Sequence, residues 1–355
     1  MFNRKMYSLL LSTIVLSMFI SSSAFAQIHV ISTFSDYASI AKEIGGDKVT
    51  TEYLSHGAQD PHFVAPKPSL AMKLKKADMF ICSGMDLEMW ATTLLDKARN
   101  KKIMDGAIGF VAVNPGIELL EKPKGAISRA EGDIHVSGNP HFHVSPANWA
   151  IMSENILIGL KKVDLENAAY YEERQKAFVD KTHRRLFGDE LVDLLGGERL
   201  NEFLLNGTLF DVLEKEYQGE KLMEKLGGWM KTALPFRNKE MIAYHKNWSY
   251  LARDFGLTII GFIEPKPGIP PTPKYVQTTI NSIKEHGVDV MLVASYFEKR
   301  KPNTIASKTG IKAVFLPLSV DAMPELTDNF KLVDYWIESI NDAIGSSKIS
   351  SRNSQ

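Results

Sequence analysis

A single cysteine, Cys82, stands among 355 residues, so no internal disulfide can staple the fold. Stability must come from ordinary apolar cores, and the setting of that cysteine, "DMFICSG", is a strand-like run in which a thiol is usually buried. Excess charge is missing too. The 42 basic residues balance 42 acidic ones, which leaves no basic field to attract a nucleic acid or an anionic membrane surface. Hydrolase signatures are absent: there is no HExxH, no GxSxG and no reactive Cys-His set, and the chain reads as a non-enzyme. Histidine is scarce at nine residues, so where it falls carries information.

One long apolar run, "LLLSTIVLSMFI", follows Arg4 and Lys5 and precedes the small-residue stretch "SSSAFA". The pattern predicts a cleavable signal peptide over residues 1–26 and a periplasmic protein. The run falls short of a bilayer span and no stop-transfer pattern follows. No cysteine marks the cleavage point, which argues against a lipid anchor.

Beyond it, apolar strand patterns alternate with amphipathic helix patterns: "IHVIST" with "FSDYASIAKEIGG", then "EMIAYH", "LTIIGFI", "VDVMLVAS" and "IKAVFLPLS" with helices between them. The economical reading is α/β, two parallel-sheet lobes facing a cleft. Residues 27–147 form the N-terminal lobe, and 148–195 a long charge-rich helical segment. That segment reads as a bridge between lobes, or else as a surface helix pair broken near "VDLEN". Residues 196–345 form the C-terminal lobe with a helical insertion, and 346–355 a polar, disordered tail.

The histidines concentrate where strands end. His62 lies in "GAQDPHFVAPKPS" after the second strand, His141 in "GNPHFHVSP" before the helical segment, and His245 closes "EMIAYH". In open α/β sheets ligands bind beyond the carboxyl ends of strands, so three such residues from distant sequence positions can converge on one cleft. Neutral imidazole suits zinc, copper, iron or nickel, and three imidazoles plus an oxygen complete a tetrahedron. The proline before His62 and before His141 fixes a φ angle and lowers the entropy lost when a metal orders the loop.

Taken in order, "DPHFVAPKPS", "GNPHFHVSP" and "YHKNWSYLARDFGL" make the chain resemble the zinc/manganese-binding receptors of ABC importers, the ZnuA/TroA type. The resemblance covers nearly the whole mature chain. It implies two lobes joined by a long rigid helix, a divalent metal between them, and delivery to a membrane permease by a monomeric receptor. It places ligands on His62, His141 and His245.

The family often supplies a carboxylate before a Pro-Leu-Gly turn, where this chain has Leu316 in "VFLPLSVDAMPE". Asp321 is the nearest substitute as a fourth ligand, a water is another, and a plain turn role for Asp321 stands against both. Glu264, in the proline-rich stretch 262–275, is a partner to a ligand, the fourth ligand itself, or part of a simple strand-to-helix connection. Glu298 sits among basic residues as a solvated ion-pair group. His135 reads as a transient recruiter of metal or a solvated loop residue, and His143 as an alternate ligand, a supporting group or part of a capture loop. Three imidazoles favour Zn2+ over Mn2+, whose sites carry more carboxylates. A zinc hydrolase and a receptor for an organic solute are the competing functions.

Overall fold

Strands of three to seven residues alternating with helices fold into two parallel sheets in the computed structural model, which describes residues 27–123, 135–264 and 271–352. The predicted signal peptide lies outside the described residues, as do 265–270 of the proline-rich stretch.

The first sheet contains β1 (Ile28–Phe34), β2 (Val49–Ser55), β3 (Met79–Cys82) and β4 (Phe110–Ala112), all parallel, in the order β2-β1-β3-β4. Strand β4 is absent from the sequence reading, because three residues are too few to show a period. A small hairpin, β5 (Glu216–Tyr217) and β6 (Glu220–Lys221), lies in the helical insertion. The second sheet holds β7 (Glu240–Ala243), β8 (Thr258–Phe262), β9 (Val290–Ala294) and β10 (Lys312–Leu316), again parallel, in the order β10-β9-β7-β8. In both sheets the first strand has the second on one side and the third on the other. Each lobe therefore has a topological switch point beside its first strand, where a crevice opens past the carboxyl ends.

The helical segment is interrupted. Asp164, with φ −146° and ψ 72°, leaves the helical region, so the stretch divides into Trp149–Val163 and Ala168–Phe187 at "VDLEN". The first of these helices packs on the N-terminal sheet, where Gly159 permits close approach: a Cβ there would lie 2.3 Å from the Val111 side chain. The 20-residue second helix joins the lobes. On one side Arg174 Nε donates to the Glu43 carbonyl at 2.9 Å, and at its end the Phe187 carbonyl accepts from Gly227 N–H at 2.7 Å.

Trp149, Phe178, Trp229 and Phe330 cluster around this junction with ring centroids 5.5 to 6.3 Å apart. Burial of such rings, each worth a few kcal/mol, gives the junction its rigidity. Trp248 and Trp336 pack edge to face at 5.7 Å in the C-terminal lobe. These four tryptophans thus serve packing. Cys82 is buried in β3.

The closing helix runs Asn329–Arg352, into the stretch 346–355 read as disordered. Propagating an established helix costs little per residue even through a polar sequence. Among the described residues no helix is long and apolar enough to cross a membrane.

The lobes meet along a seam formed by the turn after β10. Ser35 Oγ donates to the Val320 carbonyl at 2.5 Å, and the neighbouring Asp36, buried against Ser319 and Val320, has its carboxyl pushed up to about 7 by loss of solvent.

Candidate metal centre

Four histidines come together at the mouth of this seam. Ring centroids of His62 and His141 lie 5.1 Å apart, His62 and His245 5.2 Å, and His141 and His245 5.4 Å. The fourth is His135, 5.5 Å from His62 and 5.8 Å from His141. One nitrogen from each of His62, His135 and His141 lies within 4.8 Å of the others. A tetrahedral ion with bonds of about 2.0–2.1 Å needs its donors about 3.3 Å apart, so these three must draw together to hold one, and His245, which lies outside the 4.8 Å group, must move further.

Local structure delivers each ring. His62 and His141 share an Asx-Pro-His device. Asp60 Oδ1 accepts from the backbone N–H of His62 at 3.0 Å and lies 2.8 Å from its Nδ1. Asn139 Oδ1 does the same for His141, at 2.9 and 2.8 Å. The side-chain oxygen two residues upstream closes a turn and grips the ring at once. Trp90 Nε1 donates to the Pro61 carbonyl at 2.9 Å and pins the first loop.

His135 opens a turn closed by Gly138, whose φ of +119° suits only glycine. Its Nδ1 lies 2.8 Å from Asp86 Oδ1, in the turn after β3. His245 follows β7 by two residues, and its Nδ1 is 2.9 Å from Glu264 Oε2.

An oxygen is hydrogen-bonded to Nδ1 of His62, His135 and His141, Glu264 stands at ion-pair distance from Nδ1 of His245 without hydrogen-bond geometry, and Nε2 of all four is buried without a hydrogen-bond partner. Carboxylates accept only, so they keep the proton on Nδ1 and leave Nε2 a bare lone pair, the state in which imidazole binds a metal. Four buried unsatisfied acceptors in one place are costly for a fold with nothing to bind there.

Asp321 does not join the group. With φ +64° it occupies the left-handed turn conformation that aspartate tolerates. Its carboxylate accepts from Tyr53 Oη and lies 3.6 Å from His56 Nδ1, tying the seam instead. The carboxylate expected as a fourth donor thus faces Tyr53 and His56 rather than the histidine group. Glu264 is a partner to His245. Glu298 accepts from the backbone N–H groups of Arg300 and Lys301 at 2.9 and 3.3 Å, capping a helix rather than standing in a solvated ion-pair cluster. His29 and His286 pair with Glu52 and Glu240 elsewhere.

His143 is buried against Phe34 and Tyr37, with neither ring nitrogen partnered. Burial pushes it down to about 3, and also lowers His141 and His245; neighbouring imidazoles add to the effect on His141, while Glu264 partly opposes it at His245. Rings held neutral when folded take up protons more readily unfolded. Stability is thus unaffected above the ordinary imidazole value of about 6.5 and falls as pH drops below it, by up to about 1.4 kcal/mol per pH unit for each proton. The denaturation midpoint of metal-free protein is expected to decline from pH 7 to 5, less steeply in His143→Phe. Parallel profiles for the two proteins would contradict this account of His143.

A family model described as "Zinc-uptake complex component A periplasmic" matches residues 30–185 and 215–343. The manganese ABC transporter substrate-binding lipoprotein scaA of Streptococcus gordonii is 22% identical over 332 residues, covering 91% of each chain. The high-affinity zinc uptake system protein ZnuA of Bacillus subtilis is 24% identical over 293 residues, covering 82% of this chain and 78% of its own. A solved structure, "Crystal structure of ZnuA", superposes with a TM-score of 0.65 at 21% identity over 90% of this chain and 99% of that one, a likeness of fold.

Proposed function

The chain belongs to the periplasmic zinc-uptake component A family, and from that premise we propose that it is the substrate-binding protein of a metal ABC importer, capturing Zn2+ between its lobes and passing it to a membrane permease. The ion is cargo, held by His62, His135 and His141 from the N-terminal lobe and His245 from the C-terminal lobe. The observation that carries this reading is the set of four buried, unpartnered Nε2 atoms. The relatives named for zinc and for manganese support metal transport in common and differ in the ion.

Four nitrogen donors with no carboxylate among them favour zinc, because manganese prefers harder oxygen ligands. They also fill a tetrahedron. A hydrolase needs an open position for water, so this donor set disfavours catalysis. An organic-solute receptor fares no better, since the large aromatics are spent on packing.

Because only His245 comes from the second lobe, parting the lobes by a couple of ångströms would strip one ligand and open a route for release. The family's extracytoplasmic setting fits the predicted signal peptide and periplasmic location.

In competition at equal concentrations, Zn2+ is expected to displace Mn2+ at one ion per chain, read by elemental analysis after desalting. Retention of manganese over zinc would sink the assignment of cargo. The loaded protein is expected to turn over no ester or peptide substrate.

A further inference from the structure

Of the four ligand candidates, His141 alone has an uncharged partner on Nδ1. Asn139 is 3% exposed, and every polar group it has is engaged. Its backbone N–H donates to the Leu120 carbonyl at 2.8 Å, and its carbonyl accepts from Tyr250 Oη at 2.6 Å. The side-chain Nδ2 donates to the carbonyl of Lys246 at 2.8 Å and lies 3.5 Å from Glu121 Oε2. Lys246 is the residue after His245, on the other lobe.

The orientation of this amide is dictated from both ends by backbone. The Lys246 carbonyl can only accept, and the His141 backbone N–H can only donate, so Nδ2 must face the first and Oδ1 the second. A flipped amide would oppose donor to donor and acceptor to acceptor. Oδ1 so placed is an acceptor toward the ring, and Nδ1 of His141 has to carry the proton. We infer that Asn139 is a positioning residue through which the Lys246 carbonyl of the C-terminal lobe fixes the His141 tautomer, presenting the Nε2 lone pair before any metal arrives. Aspartate, which serves His62, would hold the ring but has no hydrogen to give Lys246.

The inference rests on His141 being a ligand, and the test separates the two. Zinc affinity is measured by competition with a chelator for wild type, Asn139→Leu, Asn139→Asp and His141→Ala. In metal-free, nitrogen-15 histidine-labelled protein, the tautomer of His141 is read from the signal that His141→Ala removes. Asn139→Leu, similar in size, is expected to weaken zinc binding by about 10- to 100-fold, with His141 no longer a single tautomer. Asn139→Asp keeps Nδ1–H and recovers most of the affinity, which a packing role alone would not predict. Wild-type His141 protonated on Nε2 overturns the inference even if the leucine variant fails to fold. Unchanged affinity in Asn139→Leu alongside loss in His141→Ala also overturns it, leaving the ligand reading intact. Wild-type binding by His141→Ala defeats both.

Discussion

His141→Ala is expected to lower zinc affinity by more than about 100-fold, the upper range for loss of a supporting partner alone, because it deletes a donor. The ring is fully buried, its Nε2 has no hydrogen-bond partner, and it packs against His62, His135 and His245 at 5.1 to 5.8 Å. Alanine leaves a hole that water can enter, but a water is a poorer zinc donor than an imidazole whose Nδ1–H is hydrogen-bonded. The same substitution cuts the stabilisation that zinc confers on the fold by about two thirds or more. At free zinc a thousand times the wild-type Kd, binding adds about 4 kcal/mol to wild type, and the variant at the same concentration should gain no more than about 1.4 kcal/mol. Chelator competition and thermal denaturation with and without zinc measure the two effects. An affinity within tenfold of wild type would remove His141 from the site.

The second large effect distinguishes two candidates for the fourth donor. His135→Ala is expected to weaken zinc binding by at least about tenfold, and Asp321→Ala to leave it within about twofold. His135 stacks on His62 at 5.5 Å with Nδ1 held by Asp86. It offers Nε2 as the other three rings do, and Asp86, hydrogen-bonded to Nδ1–H, raises its basicity. Asp321 is occupied by Tyr53 and His56, so its loss should show in the lobe seam and in thermal stability rather than in metal affinity. The reverse result, with Asp321 essential and His135 dispensable, would require the seam to rearrange on binding and would refute the four-imidazole site.

The two signals for His62 and His141 were legible because they are local. Asp60-Pro61-His62 and Asn139-Pro140-His141 each fold within three residues, and the histidine emerges already oriented. The sequence reading credited the prolines, whereas the asparagine or aspartate before each proline does the gripping. His245 was legible from its place at a strand end. His135 was not, since a glycine-bounded loop gives no sign of which way its side chain turns, and its anchor Asp86 lies 49 residues upstream. The contacts of Asp321 were not legible either, because proximity along the chain to a family motif says nothing about which side of the seam a turn presents.

Composition and periodicity by themselves determined the α/β class, the two parallel lobes, the absence of disulfide support and the concentration of imidazole at strand ends, because each depends on residue type and short-range spacing. Only the tertiary structure decided that His135 joins the other three rings, which oxygen stands behind His135 and His245, and that Asp321 faces Tyr53 and His56. Those depend on contacts between residues tens to hundreds of positions apart, whose distances are set by how helices and sheets pack and leave no periodic trace in the chain.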